Sequence, residues 1–143
     1  MPNNPTKAKS FVEIHIGDTA EFDIVISEDM HAVFSRLSGD GSPIHMDAQF
    51  AKSTKFGKPI GFAFLLASFF SKLYGEHLPG GSSVCLKQEL SFIKPYYVGD
   101  IIRVKGEVIS KSESTKLIEI KAEMWRNDQE KVLSGLGTVQ LLY

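Results

Sequence analysis

The chain has 143 residues, 43% of them hydrophobic, and its 16 basic and 17 acidic side chains give a formal charge of −1 at pH 7. This length suits one domain with one core, and the balanced charge without a charged run argues against a nucleic-acid-binding arm. Because Cys85 is the only cysteine, an internal disulfide is excluded, and we expect a cytoplasmic protein.

The N-terminal segment differs from the rest of the chain. Residues 1–10 are polar, include two prolines and lack an apolar signal region, so we predict a frayed or disordered end before one domain over residues 11–143. The longest apolar stretch, residues 60–70, is too short to cross a bilayer. We therefore expect neither a membrane segment nor a membrane partner.

The first elements are a strand and a helix. Weak alternation over residues 21–26 predicts a strand. Ser27, followed by two acidic residues, is typical of a helix N-terminus. Apolar residues at helical spacing continue to Leu37, and Gly39 predicts the end of the helix.

The segment after this helix places a carboxylate and an imidazole five residues apart. It reads Gly39-Asp40-Gly41-Ser42-Pro43-Ile44-His45. Its glycines and proline favour a compact, stiff loop. A stiff loop that holds Asp40 near His45 suits general acid–base chemistry on one water molecule, although the spacing alone also fits a solvated turn.

A second helix is predicted over residues 61–74, with Gly75 as its end. Almost every residue in it is apolar, which indicates a helix buried on most sides. Its first backbone N–H groups have no helical partners and carry partial positive charge.

Period-two patterns follow the second helix. Val84, Leu86, Leu90 and Phe92 alternate with polar residues, and further strands are predicted near residues 102–108, 117–125 and 132–142. Short polar connections favour an antiparallel meander. An antiparallel sheet wrapped around one long helix is an α+β arrangement, the hot-dog fold.

From about residue 11 to residue 142 the sequence resembles the MaoC-like, (R)-specific enoyl-thioester hydratase and dehydratase family. The residues that carry the resemblance are Phe34 to Asp40, Pro43-Ile44-His45, Ala51, Phe56 to Ile60, Gly75 to Gly80, Gln88 to Phe92 and Val98-Gly99-Asp100.

The resemblance implies interconversion of 2-enoyl and (R)-3-hydroxyacyl thioesters of coenzyme A or acyl carrier protein. It assigns catalysis to Asp40 and His45 and an oxyanion-binding N–H to Ala63. Substrate-contacting residues would be Ser42, Pro43, Phe62 and Ser71. It also implies a homodimer or a dimer of dimers, with no cofactor beyond the carrier arm of the substrate.

The chain departs from the family pattern at two places. Ser42 stands where the family usually has Asn, and Phe62-Ala63 stands where the long helix usually opens with His-Gly. These departures motivate one alternative, a non-catalytic acyl-binding subunit. A hot-dog thioesterase is the other, but residues 61–75 contain no acidic residue of the kind such enzymes commonly place there.

The remaining histidines and the glycines favour ordinary roles. We expect His15 and His31 to be surface or packing residues, and His77 to lie at a helix C-terminus. No spacing of histidine, cysteine and acidic residues predicts a metal site. The glycines match no nucleotide-binding fingerprint.

Overall fold

A computed structural model describes residues 9–142. The predicted frayed segment, residues 1–10, lies outside the described residues except for Lys9 and Ser10. No helix within residues 9–142 is long and apolar enough to cross a membrane.

The described chain forms one antiparallel sheet with helices packed on it. The strands are β1 (Thr19–Val25), β2 (Ser83–Gln88), β3 (Ser91–Phe92), β4 (Ile101–Ser112), β5 (Leu117–Arg126) and β6 (Glu130–Leu141). Their order is β1-β4-β5-β6-β2, and β3 also pairs with β6. The predicted meander is confirmed as β4-β5-β6, and the α+β hot-dog arrangement is confirmed with it.

The inward face of the meander is the core, as alternation predicts. Its fully buried side chains include Ile102, Val104, Val108, Ile118, Ile120, Ala122 and Met124. Gly106 lets the helical layer approach this face closely, because a Cβ there would lie 3.0 Å from a methyl carbon of Leu73.

The first helix is confirmed with its predicted caps. Helix α1 spans Glu28–Ser38; the hydroxyl of Ser27 accepts a hydrogen bond from the N–H of Met30 at 3.1 Å, and Gly39 ends the helix at a φ of 82°. Two short helices follow, α2 (Pro43–Met46) and α3 (Ala48–Lys52).

The long helix differs from its prediction at both ends and on one face. Helix α4 spans Ala63–Lys72 and begins two residues later than predicted, after the extended N-cap residue Phe62. A π-helical turn over Leu73–His77 carries the chain past Gly75. Leu65, Leu66 and Phe70 are buried, but Phe64 is 68% exposed. The helix is therefore covered on the sheet side and open on another within the single chain.

The strand predicted over residues 84–92 is divided into β2 and β3. A bulge between Cys85 and Lys87 shifts the register with β6, and a bulge interrupts the alternation of faces. Val84, Leu86 and Phe92, predicted to share a face with Leu90, are 43%, 55% and 44% exposed. They lie at the edge of the sheet, where no further strand within residues 9–142 covers them.

Candidate active site

The acidic group of the site lies directly beyond the C-terminal end of α1. Three hydrogen bonds fix Asp40. Its backbone N–H donates to the Ser38 hydroxyl at 3.1 Å, and its backbone carbonyl accepts from the Ser35 hydroxyl at 2.8 Å. Its carboxylate accepts from the Ser42 N–H at 3.0 Å. The N–H of Ser42, followed by its hydroxyl, lowers the pKa of Asp40 below its ordinary value. Asp40 is exposed and is therefore an ionised proton acceptor at neutral pH.

The imidazole of the site comes from the short helix α2. Pro43 occupies the first turn of this helix, a position that suits its fixed φ, and His45 follows two residues later. The Nδ1 of His45 lies 2.8 Å from the carbonyl oxygen of Ile60. Because a carbonyl only accepts, Nδ1 carries the hydrogen and Nε2 is left with a free lone pair.

The ring of Phe62 stacks against the imidazole of His45. Its ring centroid lies 4.2 Å from that of His45, and it also contacts the rings of His31 and Phe34 at 4.7 and 5.0 Å. Phe62 is only 2% exposed. Its side chain thus packs under His45 and presents almost no surface to a ligand within the single chain.

The start of α4 supplies a backbone donor at the residue after Phe62, whose ring packs on His45. Ala63 is the first residue of the helix, and its N–H has no acceptor within residues 9–142. A free N–H at a helix N-terminus binds anionic oxygen well. The structure therefore leaves the predicted oxyanion donor available.

Tyr96 fixes the chain that leads into this helix. The Gly61 N–H donates to the Tyr96 carbonyl, and the buried Tyr96 hydroxyl donates to the Phe62 carbonyl, both at 2.7 Å. A Cβ at Gly61 would lie only 2.2 Å from the Tyr96 ring. Only glycine fits against this ring, and the ring in turn sets where Ala63 lies.

The loop that carries Tyr96 is held by a polar cluster around Asp100. Its carboxylate accepts from the Arg126 guanidinium and the Tyr97 N–H at 2.8 Å and from the Asn127 amide at 3.1 Å. Burial alone would raise the pKa of Asp100, but these hydrogen bonds outweigh it and the pKa is lowered. The cluster anchors the 96–100 loop to the end of β5.

A cavity of about 390 Å³ opens beside His45. His31, Met46, Lys58 and Tyr97 form part of its wall, and the Lys58 ammonium lies 4.3 Å from the centroid of the Tyr97 ring. Asp40 and Ala63 are not part of that wall. The cavity therefore adjoins His45 and not Asp40.

The structure brings most of the predicted site residues into one region. Six consecutive residues, in the loop after α1 and the start of α2, include Asp40, Ser42, Pro43 and His45. Ser71 is exposed on α4, eight residues beyond Ala63, which corresponds to about 12 Å along a helix axis. Its role in the site stays a prediction.

Two residues near the site escaped the sequence reasoning. His31, predicted to be a surface or packing residue, does pack against Phe62, but its contact with the His45 carbonyl was not predicted. Its spacing of three residues from Phe34 places both rings on one face of α1, and this was the available signal. Tyr96 gave no local signal, because its partner Gly61 is distant in sequence.

His77 lies in the π-helical turn, where its ring stacks on Phe22 at 4.7 Å. Within the part of the chain that the structure describes, no group of histidine, cysteine and acidic side chains is placed to hold a metal ion.

Known proteins are similar to this chain in sequence and fold. Residues 12–130 match the family described as MaoC like domain. An (R)-specific enoyl-CoA hydratase of Aeromonas caviae is 37% identical over 110 residues, which cover 77% of this chain and 82% of that protein. A 3-hydroxybutyryl-CoA dehydratase of Methylorubrum extorquens is 36% identical over 98 residues, covering 68% of this chain and 62% of that protein.

A solved structure supports the same relationship. The (R)-hydratase from A. caviae involved in PHA biosynthesis superposes with a TM-score of 0.86 at 34% identity, covering 90% of this chain and 97% of that one. Together with the match over residues 12–130, this shows that the chain belongs to the MaoC-like domain family.

Proposed function

We propose that this protein is an (R)-specific hydratase/dehydratase that interconverts 2-enoyl and (R)-3-hydroxyacyl thioesters. The observation that carries the proposal is the pairing of an ionised Asp40 with a His45 ring whose Nδ1–H is committed to the Ile60 carbonyl. This leaves two proton acceptors five residues apart, one in the loop after α1 and one in α2. A free helix N-terminal N–H lies in the same region.

The acid–base pair activates one water molecule in this proposal. One member takes a proton from the water as its oxygen bonds to C3 of the enoyl thioester. The C2–C3 π electrons move onto C2 and the thioester oxygen. The pair then returns a proton to C2 on the same face, so the net change is addition of H and OH. Dehydration is the reverse, and no cofactor or metal takes part.

The Ala63 N–H would hold the thioester oxygen while it carries enolate charge. Preorganised backbone donors are usually the largest single contribution to such catalysis, with one donor worth about 3–4 kcal/mol. The family's glycine is replaced here by Ala63, but the donor is the backbone N–H and is unchanged by the added methyl group. The hydrogen bonds that Tyr96 makes with Gly61 and Phe62 fix the position of this donor before substrate binds.

The departure at Ser42 is compatible with activity for a similar reason. The group that donates to the Asp40 carboxylate at 3.0 Å is the backbone N–H of Ser42. An asparagine side chain is not needed for that contact. We infer that Asp40 keeps its orientation in spite of the substitution.

We further propose that the carrier arm of the substrate runs past the cavity beside His45. Lys58 supplies positive charge at its wall, which suits the phosphates of coenzyme A or an acidic carrier protein. Lys58→Ala is expected to raise KM for crotonyl-CoA by about three- to tenfold with little change in kcat, as loss of one exposed charge contact requires. Lys121→Ala, an exposed lysine on β5 outside the cavity wall and outside the β2–β3 edge, is the matched control.

We propose that two copies associate through the edge formed by β2 and β3. The exposed Phe64 contacts the half-exposed Phe92 across a ring distance of 5.8 Å, and Leu86 extends the same apolar edge. Exposed apolar patches next to an unpaired strand edge favour association. We expect a dimer or a dimer of dimers in the cytoplasm.

One assay separates this function from its alternatives. The purified chain is incubated with crotonyl-CoA; the enoyl-thioester absorbance, free thiol and product configuration are followed. Loss of absorbance with (R)-3-hydroxybutyryl-CoA and no free thiol supports the proposal. Thiol release would instead indicate a thioesterase, and binding without turnover a non-catalytic subunit.

A further inference from the structure

His31 lies next to His45, but the reaction described above makes no use of it. It is 8% exposed, and its Nε2 lies 2.8 Å from the carbonyl oxygen of His45. Its ring contacts Phe62 at 4.7 Å, and Phe62 contacts the His45 ring at 4.2 Å. His31 therefore reaches His45 by a hydrogen bond and through a shared aromatic neighbour.

The hydrogen-bond partner fixes the protonation pattern of this ring. Because the His45 carbonyl only accepts, Nε2 of His31 must carry hydrogen. Its Nδ1 is buried and has no partner within residues 9–142. A second N–H at that atom would be buried without an acceptor, which is costly. His31 is thus placed as a hydrogen-bond donor to the backbone of His45.

The position of His31 relates the two catalytic groups to each other. Asp40 is tied to the end of α1 by the Ser35 and Ser38 hydroxyls. His45 sits in α2, which has only four residues and is too short to be stable by itself. The Ile60 carbonyl holds the ring of His45, and His31 holds its backbone. The bond from His31, on α1, to the backbone of His45 joins these two elements.

Building on the proposed function, we propose that His31 is a positioning residue that sets the placement of His45 relative to Asp40. Where the family usually has a histidine at the opening of the long helix, this chain has Phe62. An imidazole is supplied instead by His31 of α1, whose ring contacts Phe62, the residue at that position in this chain.

The test compares variants that keep or remove the donor. The amide nitrogen of Gln can donate from a position close to Nε2, whereas Leu cannot donate. His31→Leu is expected to lower kcat for crotonyl-CoA hydration about ten- to hundredfold with KM within about twofold, because misplacement by a fraction of an ångström affects the chemical step. His31→Gln is expected to recover most of kcat. The exposed His15→Gln is the matched control and should leave both constants unchanged.

A ring exchange provides a second comparison. His31→Phe removes the donor but keeps an aromatic ring, and His31→Phe with Phe62→His returns an imidazole to the helix opening. The double variant is expected to be more active than His31→Phe alone. Lower activity of the double variant would count against the proposal.

Histidine side-chain NMR at pH 7.5 supplies a readout that does not depend on turnover. In the wild-type chain, long-range 1H–15N spectra should show His31 as the Nε2–H tautomer and His45 as the Nδ1–H tautomer. The His45 ring signals should shift in His31→Leu and return in His31→Gln.

Equal loss of kcat in the Leu and Gln variants, in step with loss of unfolding free energy, would overturn the positioning role. So would an Nδ1–H tautomer at His31. If the wild-type chain shows no hydration while the NMR results hold, the proposed function fails and the contact between His31 and His45 stands.

Discussion

Gly61→Ala tests whether the contact between Gly61 and Tyr96 holds the start of α4 in place. An added Cβ would lie 2.2, 2.4 and 2.6 Å from three ring atoms of Tyr96, whereas carbon atoms pack at about 3.5–4.0 Å. The ring would have to move by more than about 1 Å, but Tyr96 is 2% exposed and is hydrogen-bonded at both its hydroxyl and its carbonyl. We expect a loss of about 3 kcal/mol in unfolding free energy, at the upper end for overpacking.

Urea unfolding, thermal unfolding and the rate of crotonyl-CoA hydration measure this effect. The melting temperature should fall by about 6–12 °C, at about 2–4 °C for each kcal/mol in a domain of this size. The value of kcat should fall as well, because the Ala63 N–H lies two residues from the clash. Gly75→Ala is the matched control, since a Cβ there meets nothing within 4 Å.

A double variant shows whether the ring is the cause. Tyr96→Leu alone should be destabilising because it removes a buried ring and the bond to Phe62. Adding Gly61→Ala to Tyr96→Leu should then cost at least about 1.5 kcal/mol less than it does in the wild-type chain, as expected for residues in direct contact. Additive effects of the two substitutions, or a Gly61→Ala chain as stable as the control, would refute the reasoning.

Three further predictions concern the loop, the anchor and the edge. Ser42→Pro removes the N–H and the hydroxyl that lower the pKa of Asp40, at a residue whose φ of −60° suits proline. The pKa of Asp40 should rise toward its ordinary value of 3.8, and the acid limb of kcat/KM should move to higher pH with it. Asp100→Asn should lower the unfolding free energy at pH 7 by about 2 kcal/mol by breaking its pair with Arg126. Because the folded-state pKa of Asp100 is lowered, its stabilisation is present above the unfolded value and is lost as pH falls through the folded one, so acid unfolding of the variant should be less steep below about pH 4. Phe64→Lys should shift the molar mass measured by light scattering toward the monomer, whereas an unchanged mass would move the proposed interface elsewhere.

The features predicted well from sequence are those fixed by near neighbours. The caps of α1 depend on Ser27 and Gly39, which lie within one turn of the helix they bound. The inward faces of β4 and β5 follow from strict alternation, because every second side chain of a half-buried strand meets the core. The Asp40 loop depends on glycine and proline, whose backbone preferences are local.

The features that sequence reasoning missed depend on distant contacts. The start of α4 is delayed by Tyr96, which packs on Gly61 from 35 positions further along the chain. His31 becomes part of the site only because α2 folds back onto α1. Phe64 is exposed because no element within residues 9–142 covers that face of α4, which no pattern within α4 could indicate.

The most direct measurement of the central claim is crotonyl-CoA hydration by the wild-type chain, Asp40→Asn and His45→Gln, with each variant shown to be folded by its unfolding transition. Each substitution should lower the hydration rate by at least about a hundredfold, as loss of one member of an acid–base pair requires, and the wild-type product should be (R)-3-hydroxybutyryl-CoA. A near-normal rate in either folded variant would remove that residue from the mechanism and contradict the account.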